Sequence, residues 1–228
     1  MKFNQIKMAL YATYLTNYFG FKLKKVSSGV DKKSLRKEYS STLLDALNIE
    51  VNILNPHKIP DDGQFLLVSN HRSVIDPLIV ELALKDSKIF GHWISKKELY
   101  NSFFFGTFVR NAGTILVDRE ETQMSSFFKD IKTQVKNGDS IYIFPEGTRN
   151  KTTKPLGEFQ GGAQLIAIKN RLKVLPLYIR TQANDTLMAS LKSGKESFVI
   201  DVEVGDILDP KDRTLTLEEA YKKSFNLG

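Results

Sequence analysis

From about residue 50 onward, short apolar runs alternate along the chain with segments of helical periodicity. The clearest case begins with the apolar run at residues 65–68, passes through a polar turn, and enters a helical pattern at residues 77–85. Strands that alternate with helices usually pair in parallel, because each helix carries the chain back across the sheet. The alternation therefore predicts an α/β fold with a central mixed, largely parallel sheet flanked by helices.

The same periodicities locate the individual elements. Strands are predicted around residues 51–53 and at 65–69, 88–94, 114–117, 140–144, 173–180 and 198–204. Helices are predicted at residues 77–85, between 97 and 110, and at 121–136 and 159–169. Thr216 and Glu219 form a capping-box pattern for a last helix. The pattern gives no element between residues 180 and 198.

A polar turn follows the apolar run at residues 65–68 and leads to His71 and Asp76. Five residues span about 140° around a helix, so one helix could not place both side chains on one face. The two can meet if His71 lies in the turn and Asp76 at the helix start. Pro77 supports this arrangement, because proline favours the first helical position and aspartate the N-cap before it. Asp76 could instead be only that cap.

A second polar loop, at residues 145–149, follows the predicted strand at 140–144. If this strand runs parallel to the one at 65–69, the two loops share one edge of the sheet, where open α/β sheets place their chemistry. Arg149 offers a guanidinium that can bind a phosphate monoester through two hydrogen bonds, and Gly147 lets the backbone approach that phosphate. A plain β-turn is the alternative interpretation.

The histidine and cysteine content limits which catalytic groups and metal sites the chain can have. The chain has three histidines and no cysteine, which excludes disulfides, thiolate catalysis and cysteine metal sites. His57 is predicted to lie exposed in a loop and His92 to be structural within a strand, so His71 is the candidate base. No two histidines stand at ligand spacing and the acidic residues are scattered, so no metal site is predicted.

The N-terminal segment is set apart by its charge. Residues 1–45 carry nine basic and three acidic residues, which account for +6 of the net charge of +7. Apolar and aromatic side chains recur there at helical spacing and predict two amphipathic helices, the first ending near Gly20 and the second at residues 31–47. These helices could pack on the domain as ordinary structure, or lie on an anionic membrane surface.

We favour the membrane interpretation, because the basic residues are so concentrated beside aromatic ones. It divides the chain into an attachment segment at residues 1–47 and a domain at residues 48–228. The uncharged stretch at residues 8–21 is too short for a transmembrane helix, which needs about 20 apolar residues. A nucleic-acid-binding role is disfavoured, because the basic residues belong to no recognised reading module.

Four short blocks stand in order within residues 50–205. The first is Asn-His, four residues and Asp at 70–76, and the third is Phe-Pro-Glu-Gly-Thr-Arg at 144–149. The second lies between Lys96 and Arg119, and the fourth is Leu-Pro-Leu at 175–177. Together the blocks resemble the glycerolipid acyltransferase family, and within it the bacterial 1-acylglycerol-3-phosphate (lysophosphatidate) acyltransferases. One departure is Phe103, which stands where the family usually has proline.

The resemblance implies transfer of a fatty acyl group from a thioester to the sn-2 hydroxyl of 1-acylglycerol-3-phosphate, giving phosphatidate for phospholipid biosynthesis. His71 would be the catalytic base and Asp76 its partner. The groups that would bind the acceptor phosphate are Lys96, Arg119, Glu146, Gly147, Thr148 and Arg149. Glu146 would either orient Arg149 or contact the acceptor, and Lys96 or Arg119 could instead be surface charges.

The resemblance also implies the reaction partners. Acyl carrier protein or coenzyme A thioesters would be co-substrates, and no cofactor would be needed. The protein would attach peripherally to the cytoplasmic face of the cell membrane, where it meets its lysophospholipid acceptor. Two alternatives stay open: an enzyme of the same family that acylates glycerol-3-phosphate or a lyso-ornithine lipid, and a non-catalytic domain that binds lipid or anions.

Overall fold

The computed structural model describes residues 3–118, 124–212 and 214–227. The strands are β1 (Ile49–Leu54), β2 (Phe65–Ser69), β3 (Gly91–Lys96), β4 (Ile115–Val117), β5 (Ser140–Ile143), β6 (Lys173–Ile179) and β7 (Phe198–Val204). Among the described residues they form a seven-stranded sheet in the order β1-β7-β6-β2-β5-β3-β4. Neighbouring strands are parallel except β6 and β7, which are antiparallel. The prediction of a mixed, largely parallel sheet is confirmed.

The helices cover both faces of this sheet. They are α1 (Phe3–Lys24), α2 (Gly29–Ala46), α3 (Asp76–Ala83), α4 (Gly106–Asn111), α5 (Ser125–Lys136), α6 (Gly162–Asn170), α7 (Ala183–Ser193) and α8 (Leu217–Ser224). Leu67 of β2 belongs to a core with α1, α2, α3 and α7. Its neighbours Leu66 and Val68 belong to a second core with α5, α6 and α8. Alternate residues of β2 thus point to opposite cores. Because both faces of this strand are buried, its apolar run is continuous and does not alternate with polar residues.

Several sequence predictions need correction. The helix α7 was not predicted, because its first turns carry Asn184, Asp185 and Thr186 and few of its residues are buried. The predicted strand at 88–94 is displaced towards the C-terminus and becomes β3. The predicted helix at 121–136 begins at Ser125 in the structure, while its first residues, 121–123, lie outside the described residues.

Gly20 does not end α1, which continues to Lys24. Its role is a close approach between helices: a Cβ added at Gly20 would lie 2.8 Å from the backbone nitrogen of Phe108 in α4. The side chain of Asn111 donates a hydrogen bond to the Gly20 carbonyl across the same contact, at 3.1 Å. The glycine therefore allows packing between α1 and α4, a purpose that local sequence does not distinguish from a helix stop.

Helix α1 carries two apolar stripes. Leu15, Phe19 and Leu23 are buried in the protein, whereas a second stripe is exposed to solvent and comprises Leu10, Tyr14, Tyr18 and Phe21. Both N-terminal helices contribute to the core, so the predicted boundary at residue 47 marks a change of secondary structure and not a break in packing. Among the described residues, no helix combines the length and the apolar character that crossing a bilayer requires.

Candidate active site

The polar turns that follow β2 and β5 lie side by side. The two strands are parallel neighbours, with Val68 opposite Ile143, so both turns leave the same edge of the sheet. The Asn150 backbone N–H donates to the His71 carbonyl at 2.7 Å, and the His71 N–H donates to Glu146 Oε1 at 2.7 Å. The prediction that the two loops share one sheet edge is confirmed.

The structure pairs His71 with Asp76. The distance from His71 Nδ1 to Asp76 Oδ2 is 2.8 Å, and the same oxygen accepts hydrogen bonds from the backbone N–H groups of Arg72 and Ser73 at 2.6 and 2.7 Å. Asp76 is the first residue of α3 and not its N-cap, which is Ile75. The carboxylate therefore folds back over the preceding turn and orders it.

This pairing determines which nitrogen of the His71 imidazole carries the proton. Asp76 is 0% exposed, and its Oδ1 has no hydrogen-bond partner within the described part of the chain, so its contacts converge on Oδ2. A carboxylate that accepts two backbone N–H groups at this oxygen also accepts the Nδ1 proton, which leaves Nε2 with a free lone pair. The His71 side chain is 19% exposed. A substrate can therefore reach the base.

The third group of the site is Glu146, which is buried. Its Oε2 accepts a hydrogen bond from the Gly157 N–H at 2.8 Å, while Oε1 accepts from His71. Burial raises the pKa of the Glu146 carboxyl, and the two backbone hydrogen bonds oppose that rise. Among the described residues Glu146 forms no ion pair with Arg149. Its contacts instead tie three loops together, a role that the sequence did not predict.

The remaining predicted phosphate-binding residues that the structure describes lie at this edge of the sheet, at or near the surface. Gly147 has a φ of 68°, in the left-handed region that favours glycine, and Thr148 and Arg149 beside it are exposed. Lys96 is exposed at the last residue of β3, the strand next to β5. Arg119 lies outside the described residues. The described groups combine accessible positive charge with a turn that has little steric bulk, as an anionic ligand would need.

Two buried polar residues on either side of His71 were missed by the sequence reasoning. The Asn70 side chain exchanges two hydrogen bonds with the backbone of Ile179 in β6, at 2.8 and 3.0 Å. The Arg72 guanidinium donates to the Lys154 carbonyl at 2.6 Å and to Gln182 Oε1. The sequence signal for them was their position as polar residues directly beside a candidate base. Through these hydrogen bonds, Asn70 and Arg72 hold the turn of His71 against the loops around it.

His92 occupies the opposite end of the sheet, near the start of β3. Its ring contacts the Gly113 carbonyl at 2.5 Å through Nδ1 and Asp139 Oδ2 at 2.9 Å through Nε2. These contacts agree with the predicted structural role. His57 is exposed, as predicted. Within residues 3–118, 124–212 and 214–227, no three His, Asp or Glu side chains form a cluster that could hold a metal ion.

The chain is similar to several known proteins. It is 38% identical over 120 residues to a 1-acyl-sn-glycerol-3-phosphate acyltransferase of Helicobacter pylori, covering 52% of this chain and 49% of that protein. It is 31% identical over 136 residues to the protein of that name from Streptococcus pneumoniae, covering 59% of this chain and 49% of the relative. The chain thus spans about half the length of these curated relatives.

The fold also resembles a solved structure. The crystal structure of the 1-acyl-sn-glycerophosphate (LPA) acyltransferase PlsC from Thermotoga maritima superposes with a TM-score of 0.69 at 20% identity, and covers 99% of this chain and 93% of that one. The model of the Acyltransferase family matches residues 50–180, which include both loops of the site and more than half of the chain. The protein is therefore a member of the Acyltransferase family.

Proposed function

We propose that the protein transfers a fatty acyl group from a thioester to the sn-2 hydroxyl of 1-acylglycerol-3-phosphate, giving phosphatidate in phospholipid biosynthesis. The observation that carries this proposal is the contact between His71 and Asp76 beside the exposed loop of Arg149. A base with an orienting carboxylate suits proton transfer, whereas a domain that only binds lipid needs neither. The names of the relatives support the acceptor.

The reaction needs no nucleophile from the protein. His71 Nε2 takes the proton of the acceptor hydroxyl while the oxygen attacks the thioester carbonyl carbon. The new C–O bond forms, the C–S bond breaks, and the departing thiolate takes the proton from the imidazolium. Asp76 stabilises that imidazolium and keeps the proton on Nδ1. The aspartate of a serine-protease triad has the same role, but here the attacking hydroxyl comes from the substrate.

The acceptor phosphate binds at the exposed rim of the site. Arg149 supplies a guanidinium for bidentate contact, and Gly147 and Thr148 supply a turn that a phosphate can approach. Lys96, exposed at the end of β3, adds positive charge, and Arg119 is a further candidate for binding the same phosphate. Glu146 contributes by holding the turn of His71 against the loop at Gly157, because its two oxygens are already engaged by backbone N–H groups.

The donor is an acyl thioester of acyl carrier protein or coenzyme A, and no cofactor takes part. The protein works as a peripheral protein at the cytoplasmic face of the cell membrane, on an anionic surface. The exposed stripe of α1 supports this placement, with Leu10 67% exposed. Phe103 is 81% exposed in the segment just before α4, which packs against α1, and adds a second apolar point. Exposed lysines of α1, among them Lys7 and Lys24, favour anionic lipid.

The test is an acceptor-dependent thiol-release assay. Acyl-carrier-protein and coenzyme A thioesters are each offered with 1-acylglycerol-3-phosphate, glycerol-3-phosphate and a lyso-ornithine lipid, and the lipid product is identified. The proposal predicts thiol release and phosphatidate with 1-acylglycerol-3-phosphate. Release with another acceptor alone would replace the proposed acceptor. An absence of release with every acceptor, from protein that binds lysolipid, would favour a binding domain.

A further inference from the structure

We propose that Trp93, Glu81 and Arg36 are positioning residues that set the plane of the His71 imidazole through the ring of Phe144. The inference rests on the proposed function, because it takes His71 as the base. None of the three lies in the polar turns that form the site. Each contacts the next, and the series runs from the buried side of α2 to the ring of His71.

The first contact is between the rings of His71 and Phe144. Their centroids lie 4.1 Å apart and their planes are only 10° from parallel. The hydrogen bond to Asp76 fixes one atom of the imidazole, Nδ1, but leaves rotation about that contact free. A flat ring against one face removes this rotation. The two contacts together therefore decide where Nε2 points.

Phe144 needs its own support. It follows the last residue of β5, so strand pairing does not fix its side chain. The indole of Trp93 stacks with its ring, with centroids 4.9 Å apart and planes 25° apart. The opposing contact on Trp93 comes from Tyr142, edge-on at 5.3 Å. Trp93 thus transmits its own position to Phe144 and, through it, to His71.

Trp93 is held by a buried ion pair. Its Nε1–H donates to Glu81 Oε1 at 2.8 Å, and the same oxygen accepts from Arg36 Nε at 2.9 Å and from its NH2 group. Arg36 also donates to the Gly91 carbonyl at 2.8 Å. Both charged side chains are buried. A buried ion pair is a poor source of stability compared with apolar packing, so a directional role in fixing the indole explains it better.

Helix α3 therefore orients the imidazole in two ways. Its first residue, Asp76, holds the edge of the ring directly, and Glu81 of the same helix holds the face through Trp93 and Phe144. Mutual support of this kind keeps a catalytic group at a productive angle, and a displacement of about 1 Å can cost on the order of a hundredfold in rate.

The test compares two substitutions at Trp93, the only tryptophan in the sequence. Trp93→Leu removes the ring and the N–H, and should lower kcat by about tenfold or more while both KM values stay within about twofold. Trp93→Phe keeps a smaller aromatic ring against Phe144 and loses the N–H. Its kcat should fall by about two- to fivefold. A higher kcat for the phenylalanine variant than for the leucine variant would indicate that an aromatic ring is needed against Phe144, and not only a side chain that fills the space.

Phe127→Leu is the matched control. Phe127 is a buried aromatic residue of α5 in the other core, so the variant loses a buried aromatic ring without touching the series. A second readout is the NMR signal of the His71 ring protons. They should be displaced upfield by the Phe144 ring, relative to exposed His57, and Trp93→Leu should reduce the displacement while Phe127→Leu preserves it.

The NMR measurement needs no turnover, so it separates a failure of this inference from a failure of the proposed function. The inference is overturned if folded Trp93→Leu keeps both its kcat within about twofold and the His71 displacement. It is also overturned if Phe127→Leu loses as much kcat as Trp93→Leu. Should Trp93→Leu fail to fold, Trp93→Phe decides: identity with the wild type in both readouts rejects the proposed role.

Discussion

Replacing Asp76 by asparagine tests its contribution to turnover and its contribution to stability. The new side chain has the same shape but no charge, so it can still accept the hydrogen bonds from Arg72 and Ser73. The lost effect is stabilisation of the imidazolium that forms on His71. A hydrogen bond to a charged group contributes about 1.5–3 kcal/mol. At about 1.4 kcal/mol per factor of ten, turnover should fall by about 10- to 150-fold.

The same substitution should also reduce stability. Because the Oδ2 position must remain an acceptor, the asparagine amide group takes the place of Oδ1, which is buried without a partner among the described residues. A buried donor left unpaired costs about 1–3 kcal/mol. Urea unfolding should therefore show Asp76→Asn less stable than the wild type by about that amount, although enough protein stays folded for kinetics.

The assay is thiol release at saturating substrates, with each rate divided by the folded fraction from the unfolding curve. Asp86→Asn is the control, because Asp86 is exposed just beyond the other end of α3 and should change neither quantity. An Asp76→Asn rate within about threefold of the wild type would refute the claim that the carboxylate stabilises the imidazolium.

Three further predictions follow from the site and its surroundings. Arg149→Ala should raise the KM for the acceptor by about 10- to 150-fold, with little change in the KM for the thioester, because it removes a charged hydrogen bond to phosphate. Burial raises the pKa of Glu146, so its contribution to stability is full below its ordinary value of 4.5 and is lost as the pH rises through the folded-state pKa. Urea unfolding across this range should thus show the stability cost of Glu146→Gln shrinking as the pH rises. The double variant Leu10→Ser and Tyr14→Ser should weaken binding to anionic vesicles by about tenfold or more in co-sedimentation, because both side chains are exposed on one stripe.

Each of these predictions has a control variant at an exposed position. Lys151→Ala removes an exposed charge near Arg149 and should leave the acceptor KM unchanged. If Arg149→Ala raised the KM for the acceptor and the KM for the thioester equally, the residue would have a structural role and not a specific role in binding phosphate. Glu158→Gln makes the same change at an exposed position and is the control for Glu146→Gln. Val199→Ser changes an exposed apolar residue on β7 and should bind vesicles normally. Unchanged binding by the α1 double variant would reject the stripe as the attachment surface.

The sequence was sufficient for the sheet edge that carries the site. Apolar runs at residues 65–68 and 140–144 identified β2 and β5, and the polar residues after each run could be expected to meet because parallel strands end at one edge. The spacing of His71 and Asp76 required one in the turn and one at the helix start. That arrangement is present, with the carboxylate inside the helix and not at its cap.

The features that escaped prediction depend on partners distant in the sequence. Gly20 looks like a helix stop until α4 is placed against it. Glu146 offered two predicted roles, and its backbone contacts to His71 and Gly157 become visible only when three loops converge. Trp93 and Phe144 lie in different strand regions, and nothing local indicates that their rings stack. Packing between remote segments decides each of these.

His71→Ala removes the imidazole that acts as general base in the proposed reaction. Acyl transfer from a thioester to 1-acylglycerol-3-phosphate is measured by thiol release, with urea unfolding to establish that the variant is folded. A positioned base contributes about 10²- to 10⁴-fold to the rate, so His71→Ala should lower turnover by at least about a hundredfold. A folded variant that keeps more than about a tenth of the wild-type turnover would contradict it.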